Sequence, residues 1–370
     1  MALRIFLTSD LHLGMSFADY PAVQAELVEA RFRCLERVVT EAGARRCDLL
    51  VIAGDLFHSV SASRSEVRRA AETLRGFAGK LVSVLPGNHD FFSPRDDMWP
   101  RFRDACGGAV LFLDETAPRP LVRYNIDACL YPGPCTAKHA GTNAIGWIRA
   151  AARDGSIRHH VGVAHGSLEG FSPDFDQRYY PMTPAELLSA GLDLWLLGHT
   201  HLRYPQRPGR TERIFCAGTP EPDGFDCAHE GYAWALDIGD DGAVSAEPVR
   251  TGGLRFVEER VEVRGPADVA RLENRYAGDD AGSVLLRARL SGRAPRELIE
   301  EIERARRRMA EKLLHLDLRT GALREEITRE RIDREFPEGS FPHSLLARLA
   351  EAGDLEALQL AHQLLEESRR

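Results

Sequence analysis

The first 85 residues alternate between two kinds of segment, and this limits the fold more than any other feature of the chain. Leu3–Thr8, Asp48–Ala53 and Leu81–Leu85 are apolar runs of strand length. Between them, Ala22–Ala42 and Glu66–Phe77 keep their apolar residues to one face: Leu27, Leu35 and Val38 in the first, Val67, Ala70, Ala71 and Leu74 in the second. Runs that are apolar throughout suit strands buried on both faces. Strand, helix, strand, helix, strand predicts parallel pairing with right-handed crossovers.

Beyond Ala109 the pattern changes. Short strands are expected at Val110–Leu113, Leu121–Tyr124, Ile126–Tyr131, Val161–Ala164, Leu192–Leu197, Ile214–Ala217 and Tyr232–Ile238, parted by turns bearing Pro and Gly. The fold class is therefore α/β, with mixed sheets and helices outside them. Near Thr251–Gly253 the character shifts again. Phe256–Val263 alternates apolar and charged residues as a half-exposed strand does, Val284–Leu290 and Leu313–Leu318 read as strands, and Ala267–Tyr276 and Pro295–Lys312 read as helices. Three regions are expected: a large domain over 1–254, a small α+β domain over 255–335 and a helical tail over 336–370. In the tail, Ser344–Ala352 and Leu355–Glu367 carry many leucines, Gly353 suits a helix end and Asp354 an N-cap. Short helices are marginal alone, so these leucines need a surface to pack on, either the chain's own second domain or a partner.

Chemistry gathers where the apolar runs stop. After the first come Asp10 and His12 (SDLHLG), and after the second Gly54, Asp55 and His58 (AGDLFH). After the third come Gly87, Asn88, His89 and Asp90 (PGNHD). Later strands lead to His165 (GVAHG) and to His199 and His201 (LGHTH). Ligands collect at the carboxyl ends of strands in α/β sheets. Carboxylate, imidazole and amide oxygen suit Mn, Fe or Zn rather than a thiolate-bound metal. Two such ions, about 3.5–4 Å apart, clamp the attacking and leaving oxygens of an in-line phosphoryl displacement. His139, His159, His160 and His229 fall outside every motif and are expected at surface or incidental positions.

Composition narrows the setting. The net charge of −8 excludes a whole-protein basic field for nucleic acid but leaves a local patch open. The seven cysteines include no CxxC pair and read as reduced core residues, which predicts a cytoplasmic protein. No apolar stretch of about 18 residues is present, so no membrane association is expected. The opening MALRIFLT is too short and too soon interrupted to read as a secretory leader. No GxxxxGK[ST] loop occurs, so an ATPase would have to come from a partner.

Asp10-x-His12, Gly54-Asp55, Gly87-Asn88-His89-Asp90, His165 and Gly198-His199-x-His201 together resemble the calcineurin-like metallophosphoesterase superfamily. SDLHLG, AGDLFH, PGNHD and the segment CAGTPEPDGF (Cys216–Phe225) resemble the nuclease subunit of SbcCD-type DNA repair complexes. The resemblance covers about residues 3–238. It implies the metallophosphoesterase fold, an α+β sandwich of two mixed β-sheets flanked by helices, with a small α+β capping domain. Carried over, Asp10, His12, Asp55 and His201 would hold one divalent ion. Asp55, Asn88, His165 and His199 would hold a second, with Asp55 shared. Manganese is the family's usual metal, and iron or zinc fits the same donors.

His89 matches a histidine that is not a ligand and that stabilises the transition state or protonates the leaving oxygen. His58 would orient DNA, support the site from behind, or only cap a turn. Asp90 is expected to hold His89 or its loop through hydrogen bonds. The implied function is a Mn-dependent DNA nuclease, a 3′–5′ exonuclease with endonuclease activity, working beside an SbcC-like coiled-coil ATPase docked on the tail. Homodimerisation through the helices near Glu66–Phe77 and Asp97–Cys106 is implied as well. The alternative is a small-molecule phosphodiesterase or phosphatase with the same metals. A non-catalytic scaffold is disfavoured by the full ligand set with His89 intact.

Overall fold

The apolar runs become strands with both faces buried, and successive side chains feed different cores. Leu3, Ile5 and Leu7 enter one hydrophobic cluster and Phe6 enters another, as the two-residue period of a strand requires. Leu49, Val51 and Ala53 divide from Leu50 and Ile52 in the same way. The computed structural model describes residues 3–368. It divides into two compact units between Arg255 and Phe256.

In chain order, the first unit contains β1 (Leu3–Thr8), α1 (Gln24–Ala44), β2 (Leu49–Ala53), α2 (Arg64–Arg75), β3 (Leu81–Leu85), α3 (Met98–Cys106) and β4 (Val110–Phe112). It continues with β5 (Arg119–Pro120), β6 (Ala128–Gly133), β7 (His159–His165), α4 (Pro184–Ser189), β8 (Leu194–Gly198), β9 (Ile214–Cys216), β10 (Tyr232–Ile238) and β11 (Val244–Arg250). One sheet has six strands in the order β11-β10-β1-β2-β3-β4, and the other has five in the order β5-β6-β7-β8-β9. β1 to β4 run parallel, as do β6 to β9. β10 joins β1 antiparallel, so the six-stranded sheet is mixed.

The layers follow from which cluster each face feeds. One core lies between α1, α2, α3 and the six-stranded sheet. A second lies between the sheets, where Leu3, Ile5 and Leu7 meet Leu130, Val161, Val163, Leu194 and Leu196. A third backs the five-stranded sheet with Tyr131, Trp195 and Leu197. The result is the expected α/β sandwich, with the carboxyl ends of β1, β2, β3, β7 and β8 turned to one site.

Three local expectations are corrected. Leu121–Tyr124 is not a strand: Val122–Tyr124 is one 3-10 turn, closed by Asn125 in left-handed conformation. β11 went unforeseen because Pro248 and few apolar residues disguise it; it is an edge strand, where proline is tolerated. α2 starts before Glu66, because Ser63 and Glu66 form a reciprocal capping box that moves the helix start to Arg64.

The second unit contains α5 (Pro266–Arg275), α6 (Arg296–Ala310), and a three-stranded sheet of β12 (Arg255–Val263), β13 (Val284–Ala294) and β14 (His315–Glu325). Leu298, Ile302, Ala305 and Met309 form the inner stripe of α6 against Leu286, Ala288 and Leu290. β14 runs past the expected Leu318 and pairs with β13 as far as Glu325. The helical tail begins before residue 336. Ile327, Ile332 and Phe336, from and beside α7 (Arg329–Glu335), share one small core with Leu346 of α8 (Phe341–Glu351) and Leu358 of α9 (Leu355–Glu367). The Asp354 carboxylate caps α9 by accepting from Ala357 N–H, as its type predicts. Part of the tail's apolar surface is thus covered within its own unit. Phe341 at 74%, Leu360 at 59%, Leu364 at 56% and Leu355 at 49% remain exposed.

Candidate metal centre

Four of the expected ligands sit in sharp turns just past strand ends. Asp10, His12, Asp55 and His199 all have positive φ, which non-glycine residues seldom adopt. Such strain persists where the surroundings impose it, and it clusters at functional sites. The adjoining glycines are needed for close approach. A Cβ on Gly54 would lie 2.1 Å from His165 Nδ1, and one on Gly87 would lie 2.1 Å from Asp55 Oδ1.

The side chains then converge. His12 Nε2 and His201 Nε2 stand 3.2 Å apart, and His201 Nε2 is 3.9 Å from Asp10 Oδ1. Asp55 Oδ2 lies 3.7 Å from His12 Nε2 and 3.3 Å from His165 Nε2, so it reaches both halves of the cluster. Asn88 Oδ1 is 3.0 Å from His165 Nε2 and 3.0 Å from His199 Nδ1. All seven predicted ligands are therefore brought together. Asp10, Asp55, Asn88 and His165 are each at most 1% exposed.

This donor set fits divalent ions. Two nitrogens bound to one ion at about 2.1 Å in tetrahedral geometry stand about 3.4 Å apart, close to the His12–His201 spacing. The tautomers agree. Ala53 O, 2.8 Å away, accepts from His165 Nδ1 and leaves Nε2 facing inward. His201 Nδ1 faces the Asp223 carboxylate at 3.2 Å, which likewise leaves Nε2 for the centre. A carboxylate behind a ligand imidazole is the usual support for a metal site. Buried Asn88 Nδ2 and His12 Nδ1 have no hydrogen-bond partner among the described residues.

Electrostatics reinforce this reading. Burial opposes ionisation of Asp55, but the imidazoles of His165, His12 and His89 outweigh it and hold the carboxyl well below its usual range. Burial also opposes a charge on His165, yet Asp55 outweighs it and lifts the ring to about 9. Burial, with His165 beside it, depresses His199 to about 3. Without metal, the His165 proton neutralises part of the negative charge that cations would otherwise balance.

The three other predicted site residues divide. His89 is anchored from two sides: its N–H donates to Asp55 Oδ1 at 2.8 Å, and its Nδ1 lies 3.2 Å from the His58 carbonyl, which accepts. Its Nε2 is thereby left free, and its ring stands 4.8 Å from that of His12. His58 packs its ring 5.2 Å from His89 and 5.4 Å from His12. Among the described residues, the Asp90 carboxylate bonds to backbone rather than to the His89 ring. It accepts from Phe57 N–H at 3.0 Å and Gly87 N–H at 2.7 Å, so it ties two ligand loops together. Burial, and then Asp55, push its carboxyl up to about 8.

Sequence reasoning missed three supports. Arg31, 1% exposed in α1, donates to Leu11 O at 2.8 Å and pairs with Asp223 at 3.2 Å. Asp223 in turn holds His201. His229, expected at an incidental position, donates from Nε2 to His201 O at 2.7 Å and accepts from Gly231 N–H through Nδ1. His159 is also buried rather than at the surface. Asp223 lies in the CAGTPEPDGF segment but its role is not legible there, and no motif marks Arg31 or His229, because each acts through a partner distant in sequence.

The fold and the converging donors define a hydrolase of phosphate esters that works with divalent metal. The family model described as calcineurin-like phosphoesterase matches residues 3–203, and the chain belongs to that family. The family's centre holds two divalent ions. The chain is 26% identical over 314 residues to the uncharacterized metallophosphoesterase YhaO of Bacillus subtilis (strain 168), a match covering 79% of this chain and 72% of that one. It is 26% identical over 235 residues to the DNA double-strand break repair protein Mre11 of Methanopyrus kandleri, covering 60% of this chain and 48% of that one. A purple acid phosphatase from yellow lupin seeds matches 68% of this chain and 52% of its own, at 13% identity and a TM-score of 0.40. Among the described residues no helix is long and apolar enough to cross a membrane.

Proposed function

We propose that this phosphoesterase is a DNA nuclease that uses two manganese ions. The observation that carries the phosphodiester reading is His89, held beside the donor cluster with Nε2 free while its Nδ1 faces the His58 carbonyl. In this reading Asp10, His12, Asp55 and His201 hold one ion, and Asp55, Asn88, His165 and His199 hold the other. The ions would clamp the attacking and leaving oxygens and make water a stronger acid. His89 delivers a proton to the leaving oxygen or steadies charge on the phosphate. His58 sets the angle of His89 through its carbonyl, and Asp90 fixes the two loops that carry Asp55 and Asn88. The similarity to Mre11 supports DNA as the substrate.

A second reading is a small-molecule phosphodiesterase. The net charge of −8 and the carboxylates beside His199 and His201 favour it. One assay separates the two: labelled single- and double-stranded DNA beside a chromogenic bis-ester, each with Mn, Mg or EDTA. DNA cleavage with Mn, lost in EDTA, supports the nuclease. Turnover of the bis-ester alone supports the second reading.

The nuclease reading also implies an SbcC-like coiled-coil ATPase as partner. Phe341, Leu355, Leu360 and Leu364 are the exposed apolar side chains that it would cover. Replacing them with polar residues should abolish co-purification with the ATPase while short-DNA cleavage persists.

A further inference from the structure

A cavity of about 370 Å³ opens directly beside the candidate centre, with His199 and His201 in its wall. That volume lies at the lower end of the range for small-ligand pockets, roughly 300–1,000 Å³, and suits one nucleoside-sized group. Tyr179 offers a flat face there, its ring 5.0 Å from that of His199. The charge of the wall is one-sided. Asp174, Asp223 and Asp226 line it, and neither lysine nor arginine does. Asp223 is neutralised from behind by Arg31 and His201. Asp174 spends its oxygens on Ser167 and on the N–H groups of Arg178 and Tyr179, which fixes the carboxylate in place. Asp226 is exposed at the mouth.

We infer that this cavity is a substrate subsite that takes an uncharged or cationic substituent of the phosphodiester and rejects one bearing a second phosphate. The inference rests on the phosphodiesterase reading. Fixed carboxylates in the wall repel a second anion, and like charges brought together lower affinity steeply. The shared chemistry is a phosphate-free group beside the bond to be cut. A terminal nucleoside of DNA with a free hydroxyl presents it, and so does a small diester.

Three p-nitrophenyl phosphodiesters test this, differing only in the second substituent: choline, thymidine, and thymidine carrying a 3′-phosphate. With Mn, kcat/KM should fall from the first two to the third by about tenfold or more. Asp226→Asn should narrow that gap, and Asp174→Asn with Asp226→Asn should narrow it further. Asp279→Asn, in the second unit, should leave it unchanged. Equal rates on all three esters, or a gap that survives in both variants, would overturn the subsite alone. No turnover of any ester or of DNA would overturn the phosphodiesterase reading instead. Oligonucleotides ending in hydroxyl or phosphate identify the source. A preference for the hydroxyl end assigns the pocket to a DNA terminus, and turnover of the esters alone assigns it to a small diester.

Discussion

In the first unit charge is buried: Asp10, Asp55, Asp90 and Arg31 are each at most 1% exposed. In the second unit most ion pairs lie near the surface, as with Arg308 and Glu273 or Arg275 and Glu259. Removing a charge from water is costly unless partners replace the water. The buried groups of the first unit therefore form one connected network. Arg31 holds Asp223, Asp223 holds His201, and His201 stands beside His12 and Asp10. The surface pairs of the second unit also link up, as from Glu273 through Arg308 to Glu301 and Arg304, but they do so in solvent and around no buried centre. The difference teaches where to look for function: not where charges are most numerous, but where they have been buried together.

The sharpest way to break this contrast is at Asp55. Asp55→Ala should remove both ions, whereas Asp10→Ala should mainly weaken one. Elemental analysis of the purified variants checks it, and equal metal content in the two would end the shared-ligand assignment. Next comes His89. His89→Ala should keep its metal but lose turnover by roughly a hundredfold to ten-thousandfold, the usual worth of a positioned acid or base. Metal loss in that variant would make His89 a ligand.

Arg31→Met should destabilise the protein by roughly 3–5 kcal/mol, because it leaves Asp223 as a buried charge with one partner fewer. Arg308→Ala should leave the melting curve nearly unchanged, since exposed pairs contribute little. Denaturant unfolding of both variants gives the comparison directly, and similar losses would erase the distinction between the units.

The smallest expected effect is a proton count. Metal-free His165 holds its ring proton up to about 9, since burial is outweighed by Asp55. A metal ligand must give that proton up. Loading manganese at pH 7 should therefore release protons, and apparent metal affinity should rise with pH until about 9. Indicator-dye titration in weak buffer measures it.

Much of the site was legible because its residues follow strands, and strand ends are where α/β sheets gather ligands. Asp10, Asp55, His165 and His199 each come within two residues of a strand's end. Asp90 shows the limit of that logic. Its place in PGNHD marks it as important, yet the motif does not reveal that both its oxygens serve backbone N–H groups of two loops. In the tail, leucine count alone could not divide Leu346 and Leu358, which are buried, from Leu360 and Leu364, which are not.

Local pattern by itself determined the strand and helix order, the parallel core strands and the pool of metal-binding side chains at strand ends, because apolar periodicity and motif spacing act over a few residues; the choice of seven ligands within that pool came from the family resemblance. Only the tertiary structure decided what stands behind those ligands. Arg31, Asp223 and His229 come from α1 and from the loop before β10, and they meet His201 because the two sheets stack. Such contacts are made across the fold rather than along the chain, so no periodicity records them.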